Sequence, residues 1–323
     1  MPSPSCGPEL RRKIDQAASG LKPTRLTPEN VSWGAGPDHG KLWIPENLAP
    51  LAGTPAYARL TDEQRLRYNQ YYALQMAEQF AWLERYMIIG PLKGLLRGAL
   101  LTPSMGDIID SFITDEYGHT ATLLKLARMA RPDLYGSREF RFFTPPLLVR
   151  SYAALAACLP RLLCGWVLLV GVLEELTILI SLTYKESNDG IDPLFATVYT
   201  LHAQDEARHC RQDSLIADWL LADQGAMAKG INAITLRMAF TAYYDAGWGY
   251  DQPVRQIAAD FPDVGAWETE LLGEAKTSCS AAFNGRLTDR TMLPITSRNA
   301  ERYEMLGDAI RYLSSSRSDQ QNR

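Results

Sequence analysis

The stretch Leu201-His202-Ala203-Gln204-Asp205-Glu206-Ala207-Arg208-His209 carries two imidazoles and a carboxylate at helical spacing. A helix advances about 100° per residue, so Glu206 falls about 40° to one side of His202 and His209 about 20° to the other. All three therefore point the same way. A second stretch, Asp115-Glu116-Tyr117-Gly118-His119, repeats the order Asp-Glu-x-x-His. Glu-x-x-His on each of two helices, with one further Glu from each of two more, is how helical bundles hold a pair of carboxylate-bridged iron or manganese ions. A single such motif arises by chance on many solvated helices. Here three of the four histidines (39, 119, 202 and 209) fall inside the two motifs, which scattered surface histidines would not do.

Four helices must position these groups. Thr61-Asp62-Glu63-Gln64 reads as a capping box with two acids in the first turn, and it opens a helical pattern to about Gly90. Beyond its first turn this helix offers two candidate acids, Glu78 and Glu84. Glu84 shares a face with Ala73, Met76, Ala77, Phe80, Ala81 and Ile88, which carries it into a core, whereas Glu78 lies nearer Gln75, Trp82 and Arg85 at a helix edge. Glu84 is the expected ligand and Glu78 its alternative. A charge on a dry face is costly unless it is paired or bound to a metal.

The second helix is expected from about Ser104 to Arg131, stopped by Pro132. After an aromatic, proline-marked connection comes a short helix to Leu159, then a third long helix from Pro160 to about Lys185. It is apolar nearly all round and so central, yet it carries Glu174 and Glu175. Neighbours on a helix point about 100° apart, so only one of that pair faces a common site. Asp192-Pro193 starts the fourth helix, which runs to about Gly225.

No run alternates with a strand's period of two, and the fold class is all-α. Residues 1–60 read as a short helix (Pro8 to Ala18) and an extended arm rich in Pro and Gly. Residues 61–313 read as one helical bundle domain, with further helices at about Met227–Tyr244, Val264–Leu287 and Thr296–Leu313. Residues 314–323 read as a polar, disordered tail. At 323 residues and 46% apolar content the chain buries a large core. A net charge of -4 gives no footprint for nucleic acid. The uncharged run Leu162–Leu173 is too short to cross a bilayer, and no basic-then-apolar leader opens the sequence. The five cysteines, Cys6, Cys158, Cys164, Cys210 and Cys279, lack C-x-x-C spacing and read as reduced core thiols of a cytoplasmic protein.

Taken together, the motifs resemble those of the p-aminobenzoate N-oxygenase (AurF-like) family of di-iron oxygenases, which use a ferritin-like helical bundle. That family's pattern is Glu, Glu-x-x-His, Glu, then His-x-x-x-Glu-x-x-His. The resemblance spans roughly residues 60–245 and implies the metal ligands Glu84, Glu116, His119, Glu175, His202, Glu206 and His209. The additional histidine, four residues before the last Glu, is the family's mark and is supplied by His202. The resemblance favours Glu175 over Glu174, because 27 residues separate it from His202. The expected fold is thus a ferritin-like bundle with additional helices and an extended N-terminal arm.

The resemblance further implies two iron ions bridged by carboxylates, O2 as oxidant and a small-molecule amine as substrate. The amine, aryl or derived from an amino acid, would be oxidised to a hydroxylamine, nitroso or nitro product. An external ferredoxin or reductase would supply electrons, since no nucleotide-binding glycine motif is evident. A homodimer and a role in secondary-metabolite (antibiotic) biosynthesis are implied in the same way. Carboxylates and imidazoles suit iron in both its common oxidation states, and manganese takes the same ligands. By the same resemblance Asp115 is expected beside His209 and Asp205 beside His119, with Arg208 paired to one of the two acids. Competing readings on this scaffold are a C–H hydroxylase or desaturase, a radical-generating subunit with Tyr199 as redox tyrosine, and an iron-storage bundle.

Overall fold

Helix starts in this chain are set by prolines and short polar side chains, which satisfy or remove the N–H groups that a first turn leaves free. In the computed structural model, α1 (Pro8–Ser19) begins on proline, and α2 (Pro55–Arg59) is capped by Thr54. The main bundle starts with α3 (Asp62–Leu83), where Thr61 Oγ1 accepts from the Gln64 N–H at 3.3 Å and the Gln64 side chain accepts from the Thr61 N–H at 2.9 Å. A π-helical turn, Glu84–Ile89, joins α3 to α4 (Gly90–Gly98). Then come α5 (Pro103–Ala130), α6 (Pro132–Tyr135), α7 (Leu147–Cys158), α8 (Gly165–Glu186) and α9 (Pro193–Leu221), the last capped by Asp192. The C-terminal part holds α10 (Ala226–Tyr244), α11 (Asp251–Asp260), α12 (Pro262–Gly265), α13 (Glu268–Thr288), α14 (Pro294–Arg302) and α15 (Glu304–Gln321). The structure describes residues 7–98, 101–187, 190–222, 224–244, 250–289 and 291–321, without the side chains of 243–244, 279–288 and 314–321.

The architecture is an all-α ferritin-like bundle. Helix α8 packs along α9 and α3 along α5, while α5 also meets α9 and the π turn meets α8. Among the described residues no strand forms, only an isolated parallel bridge between Leu42 and Ile191. Residues Trp166 to Leu173 of α8 are buried on every side. By length and composition this helix could cross a membrane, but most of it is buried inside the bundle, which accounts for its apolar character.

The arm lies over this core. Its Leu26, Val31, Trp43 and Ile44 are buried, and the Trp43 ring stacks on Phe195 of α9 at 5.0 Å between centroids. Asn69 of α3 is fully buried because the arm satisfies it: Oδ1 accepts from the N–H groups of Trp43 (2.9 Å) and Ile44 (3.3 Å), and its amide donates to the Ile44 carbonyl. Helices α2, α11 and α13 gather a second apolar cluster with Tyr68 at the start of α3. Helix α10 packs on α7, α8 and α15.

Several expected boundaries move. The first bundle helix does not end at Gly90 but continues through the π turn to Gly98. The extra residue of that turn falls directly before Gly90-Pro91, where a regular helix would need a hydrogen bond from a proline that has no N–H. The third helix starts at Gly165 rather than Pro160, and the stretch expected at Thr296–Leu313 divides at Tyr303, whose extended backbone (φ -112°, ψ 97°) separates α14 from α15. The backbone of α15 runs as helix to Gln321. Cys164 and Cys210 are buried thiols, but Cys158 is exposed at the end of α7 and so is not a core residue. Cys6 and the Cys279 side chain lie outside the described residues.

Gly94 is where α4 and α7 meet. A Cβ there would press on the Ala157 carbonyl oxygen and lie 3.0 Å from Pro160 Cγ. Gly94→Ala is therefore expected to lower stability by roughly 1–3 kcal/mol through overpacking, read as a lower midpoint in urea unfolding. An unchanged midpoint would mean that the crossing yields freely.

Candidate metal centre

Each long bundle helix delivers its acids and imidazoles to one dry place. Glu84, at the start of the π turn, and Glu116, His119, His202, Glu206 and His209 are all buried. Two overlapping groups have ligand atoms within 4.8 Å of one another: Glu84, His119, His202 and Glu206, and Glu116, His119, Glu206 and His209. Glu206 spans them, with Oε1 3.3 Å from His119 Nδ1 and Oε2 3.1 Å from His209 Nδ1. Within the second group, Glu116 stands 3.8 Å from His119 Nδ1 and 3.0 Å from His209 Nδ1. Outside this bridge, Glu84 Oε1 stands 3.0 Å from His202 Nε2.

The donor set fits a pair of cations. Both oxygens of Glu116, Glu84 Oε1, His119 Nδ1 and His202 Nε2 are buried without a hydrogen bond, although other ligand atoms lie within reach. Such atoms are aimed at shared points rather than at each other. A buried polar atom left unpaired is costly, and a metal ion at the point of convergence removes that cost.

The choice between neighbouring acids is resolved by their other partners. Glu84 joins the cluster, its Oε2 accepting from Thr120 Oγ1 at 3.1 Å. Glu78 does not: its carboxylate accepts from the Tyr135 hydroxyl at 2.6 Å and from the N–H groups of Arg141, Phe142 and Phe143 at 2.8 Å each, so it fixes the connection before α7. On α8 the expectation of Glu175 is corrected. Its two oxygens accept from the N–H groups of Ile295 (2.7 Å) and Thr296 (2.6 Å), which places Glu175 at the first turn of α14. Glu174 faces the cluster instead, 3.5 Å from His209 Nδ1, with both oxygens buried and unpaired. The structure thus brings Glu174 rather than Glu175 to the cluster, and the pull of the α14 N-terminus on the Glu175 anion is a tertiary effect that spacing does not carry.

The acids beside the ligands hold the imidazoles. His209 Nε2 meets Asp115 Oδ2 at 3.1 Å and His119 Nε2 meets Asp205 Oδ2 at 3.2 Å, each across helices α5 and α9. Both rings thereby present Nδ1 to the cluster. Arg208 pairs with both acids, at 2.6 Å to Asp115 and 3.2 Å to Asp205. Phe112 stacks on His209 at 4.2 Å and the Phe80 edge meets His202 at 5.7 Å, which closes the site with apolar rings. Tyr199 is fully buried, its hydroxyl unpaired and its ring stacked on Tyr184 at 4.8 Å.

Protonation follows from this crowding. Burial opposes charge on His119, but the hydrogen bond to Asp205 and the nearby carboxylates of Glu206 and Glu116 outweigh it and push its pKa up to about 10. His209 is raised in the same sense, against burial, by Glu206 and Asp115. Burial pushes Glu116 up to about 7, partly offset by His209. His202 goes the other way, lowered chiefly by burial.

The family model described as P-aminobenzoate N-oxygenase AurF matches residues 17–255, a span that contains every residue of the cluster. The chain belongs to the AurF family. A search of curated proteins gave no match. Membership of the AurF family makes the chain an oxygenase by descent, and the buried carboxylate–histidine cluster fits the metal site that such an enzyme needs.

Two tests separate these assignments. Glu174→Ala is expected to lower the metal bound per chain, whereas Glu175→Ala and Glu78→Ala keep it and lose roughly 1–3 kcal/mol of stability from backbone amides left without their acceptor. Metal analysis alongside thermal melts decides, and metal loss in Glu175→Ala with none in Glu174→Ala would reverse the assignment on α8. The raised His119, His209 and Glu116 must give up protons when a cation binds, so metal affinity rises with pH. Competition with a chelator between pH 6 and 8 is expected to show a change of roughly tenfold per pH unit for each proton released. A flat profile would contradict the protonation just described.

Proposed function

We propose that this AurF-family chain is a non-haem di-iron N-oxygenase that uses O2 to oxidise an amine nitrogen, with an aryl amine or an amino-acid-derived amine as substrate and a hydroxylamine, nitroso or nitro compound as product. The observation that carries the reading is the pair of overlapping ligand groups that share His119 and Glu206, with His202 as a third imidazole. Glu84, Glu116, His119, Glu174, His202, Glu206 and His209 would hold two irons, which supply O2 activation when bound. Four carboxylates offset the charge of two ferrous ions, which makes the pair tolerable among apolar side chains.

The chain's own groups have separable tasks. Asp115 and Asp205 accept the Nε2 protons of His209 and His119, so that Nδ1 of each ring faces the cluster and is the nitrogen that gives up its proton to a metal. Phe80 and Phe112 cover His202 and His209 and keep water from them. Thr120 holds one oxygen of Glu84 in place. Electrons come from an external ferredoxin or reductase, and a homodimer acting in secondary-metabolite biosynthesis in the cytoplasm completes the reading by family analogy.

Elemental analysis of protein prepared with iron, and of His202→Ala and Glu206→Ala, tests this directly. About two irons per chain are expected, as in other bundles with this ligand plan, with iron lowered in His202→Ala and lost in Glu206→Ala. Reduced, oxygen-exposed enzyme should then convert an aryl amine such as p-aminobenzoate, or an amino-acid-derived amine, to an N-oxygenated product visible by mass. Absence of any stoichiometric transition metal after reconstitution would sink the di-iron reading.

A further inference from the structure

The N-terminal arm reaches the two acids that orient the histidines. Thr24 Oγ1 donates to Asp115 Oδ1. The N–H groups of Arg25 and Leu26 donate to Asp205 Oδ2 at 2.8 and 3.0 Å, the same oxygen that His119 Nε2 approaches at 3.2 Å. With Arg208 on Asp115 Oδ2 and Asp205 Oδ1, every oxygen of both carboxylates has a partner, and the arm supplies three of the donors.

Gly118, inside the Asp115–His119 motif, makes this approach possible. A Cβ there would lie 2.8 Å from the Leu26 carbonyl oxygen and 3.3 Å from the Cγ2 atoms of both Thr24 and Thr27. The arm thus rests on the ligand-bearing turn of α5 with no room for a side chain between them. It is anchored at the contact by buried Leu26 and just after it by buried Val31 and by Lys125 of α5, whose ammonium lies 4.3 Å from the Trp33 ring centroid.

We propose that Thr24–Leu26 is a positioning clamp for the metal centre, so that arm docking and metal binding reinforce one another through Asp115 and Asp205. This rests on the reading of the cluster as a metal site. Removing the arm's donors leaves each carboxylate short of partners and free to turn, and the imidazole it orients turns with it. Because coupling free energies are reciprocal, a metal that fixes His119 and His209 must in turn hold the arm.

The experiment uses the full chain, anaerobic, with and without ferrous iron. Hydrogen exchange at the Arg25 and Leu26 amides is followed in the same samples in which iron stoichiometry and chelator competition are measured, for wild type, Thr24→Val, Thr24→Ser and Gly118→Ala. Iron is expected to slow exchange at both amides about tenfold or more, as for ordinary coupling between sites. Thr24→Val and Gly118→Ala should weaken iron binding by roughly tenfold to a hundredfold, while Thr24→Ser, which keeps the hydroxyl, should bind close to wild type. Thr24 is half-buried in the arm, so its variants keep the bundle folded even where Gly118→Ala does not. If wild type takes up its iron with exchange at Arg25 and Leu26 unchanged, or if Thr24→Val holds iron as tightly as wild type, the clamp is overturned and the metal reading stands. If wild type takes up no iron, the metal reading falls and the clamp falls with it.

Discussion

Everything else in this bundle answers to the cost of keeping four carboxylates and three imidazoles in an interior closed by aromatic and aliphatic side chains. A single uncompensated charge there would cost several kcal/mol. The chain meets that cost by convergence: Glu116 and Glu206 each touch both His119 and His209, and Glu84 and Glu174 close the two ends. Helix placement is the means. The capping box at Thr61, Thr102 before α5 and Asp192 before α9 fix where three of the four helices begin, and hence which turn of each faces the centre.

Beside His119 and His209 lie two carboxylates, Asp115 and Asp205, whose oxygens all have partners. Asp115 and Asp205 tie α5 to α9, Arg208 ties both acids together, and the arm closes the outside. Held this way, the imidazoles keep one tautomer and one direction, and the remaining nitrogens are free for metal. Rigidity matters because oxygen chemistry in a protein must be confined to the intended partner. Phe80 and Phe112, packed against His202 and His209, contribute to that confinement.

How much of this was legible in the sequence varies with the physics of each residue. Glu84 could be read, because a carboxylate on an otherwise apolar helical face must be paired or bound to a metal to be tolerated there. Glu78, on the neighbouring face, proved to be held by three backbone amides and a tyrosine. The cross-helix pairing of Asp115 and Asp205 was legible only through family resemblance, since nothing in the spacing of two motifs says which helix faces which. The π turn left only a faint trace, the Gly90-Pro91 pair that follows it. The arm's contribution left almost none, because two of its three donors are backbone N–H groups that any residue but proline provides. Gly118 was the one visible sign, a small residue inside a ligand motif, and it carries meaning only once Leu26 is known to lie above it.

The pair Glu174–Glu175 shows why spacing alone does not assign a ligand. Two adjacent acids on a buried helix need two different partners, and about 100° separates their directions. Glu174 takes the histidine side and Glu175 takes the first amides of α14. The rotation of α8 is therefore held from both sides, by the cluster within and by a helix N-terminus without. Since α14 lies beyond residue 255, where the family match ends, the C-terminal helices of this chain are not a neutral addition to the bundle. They supply the acceptor-seeking amides of Ile295 and Thr296 that hold Glu175, the neighbour of Glu174 on α8, and so add to the stability of the bundle outside the cluster itself.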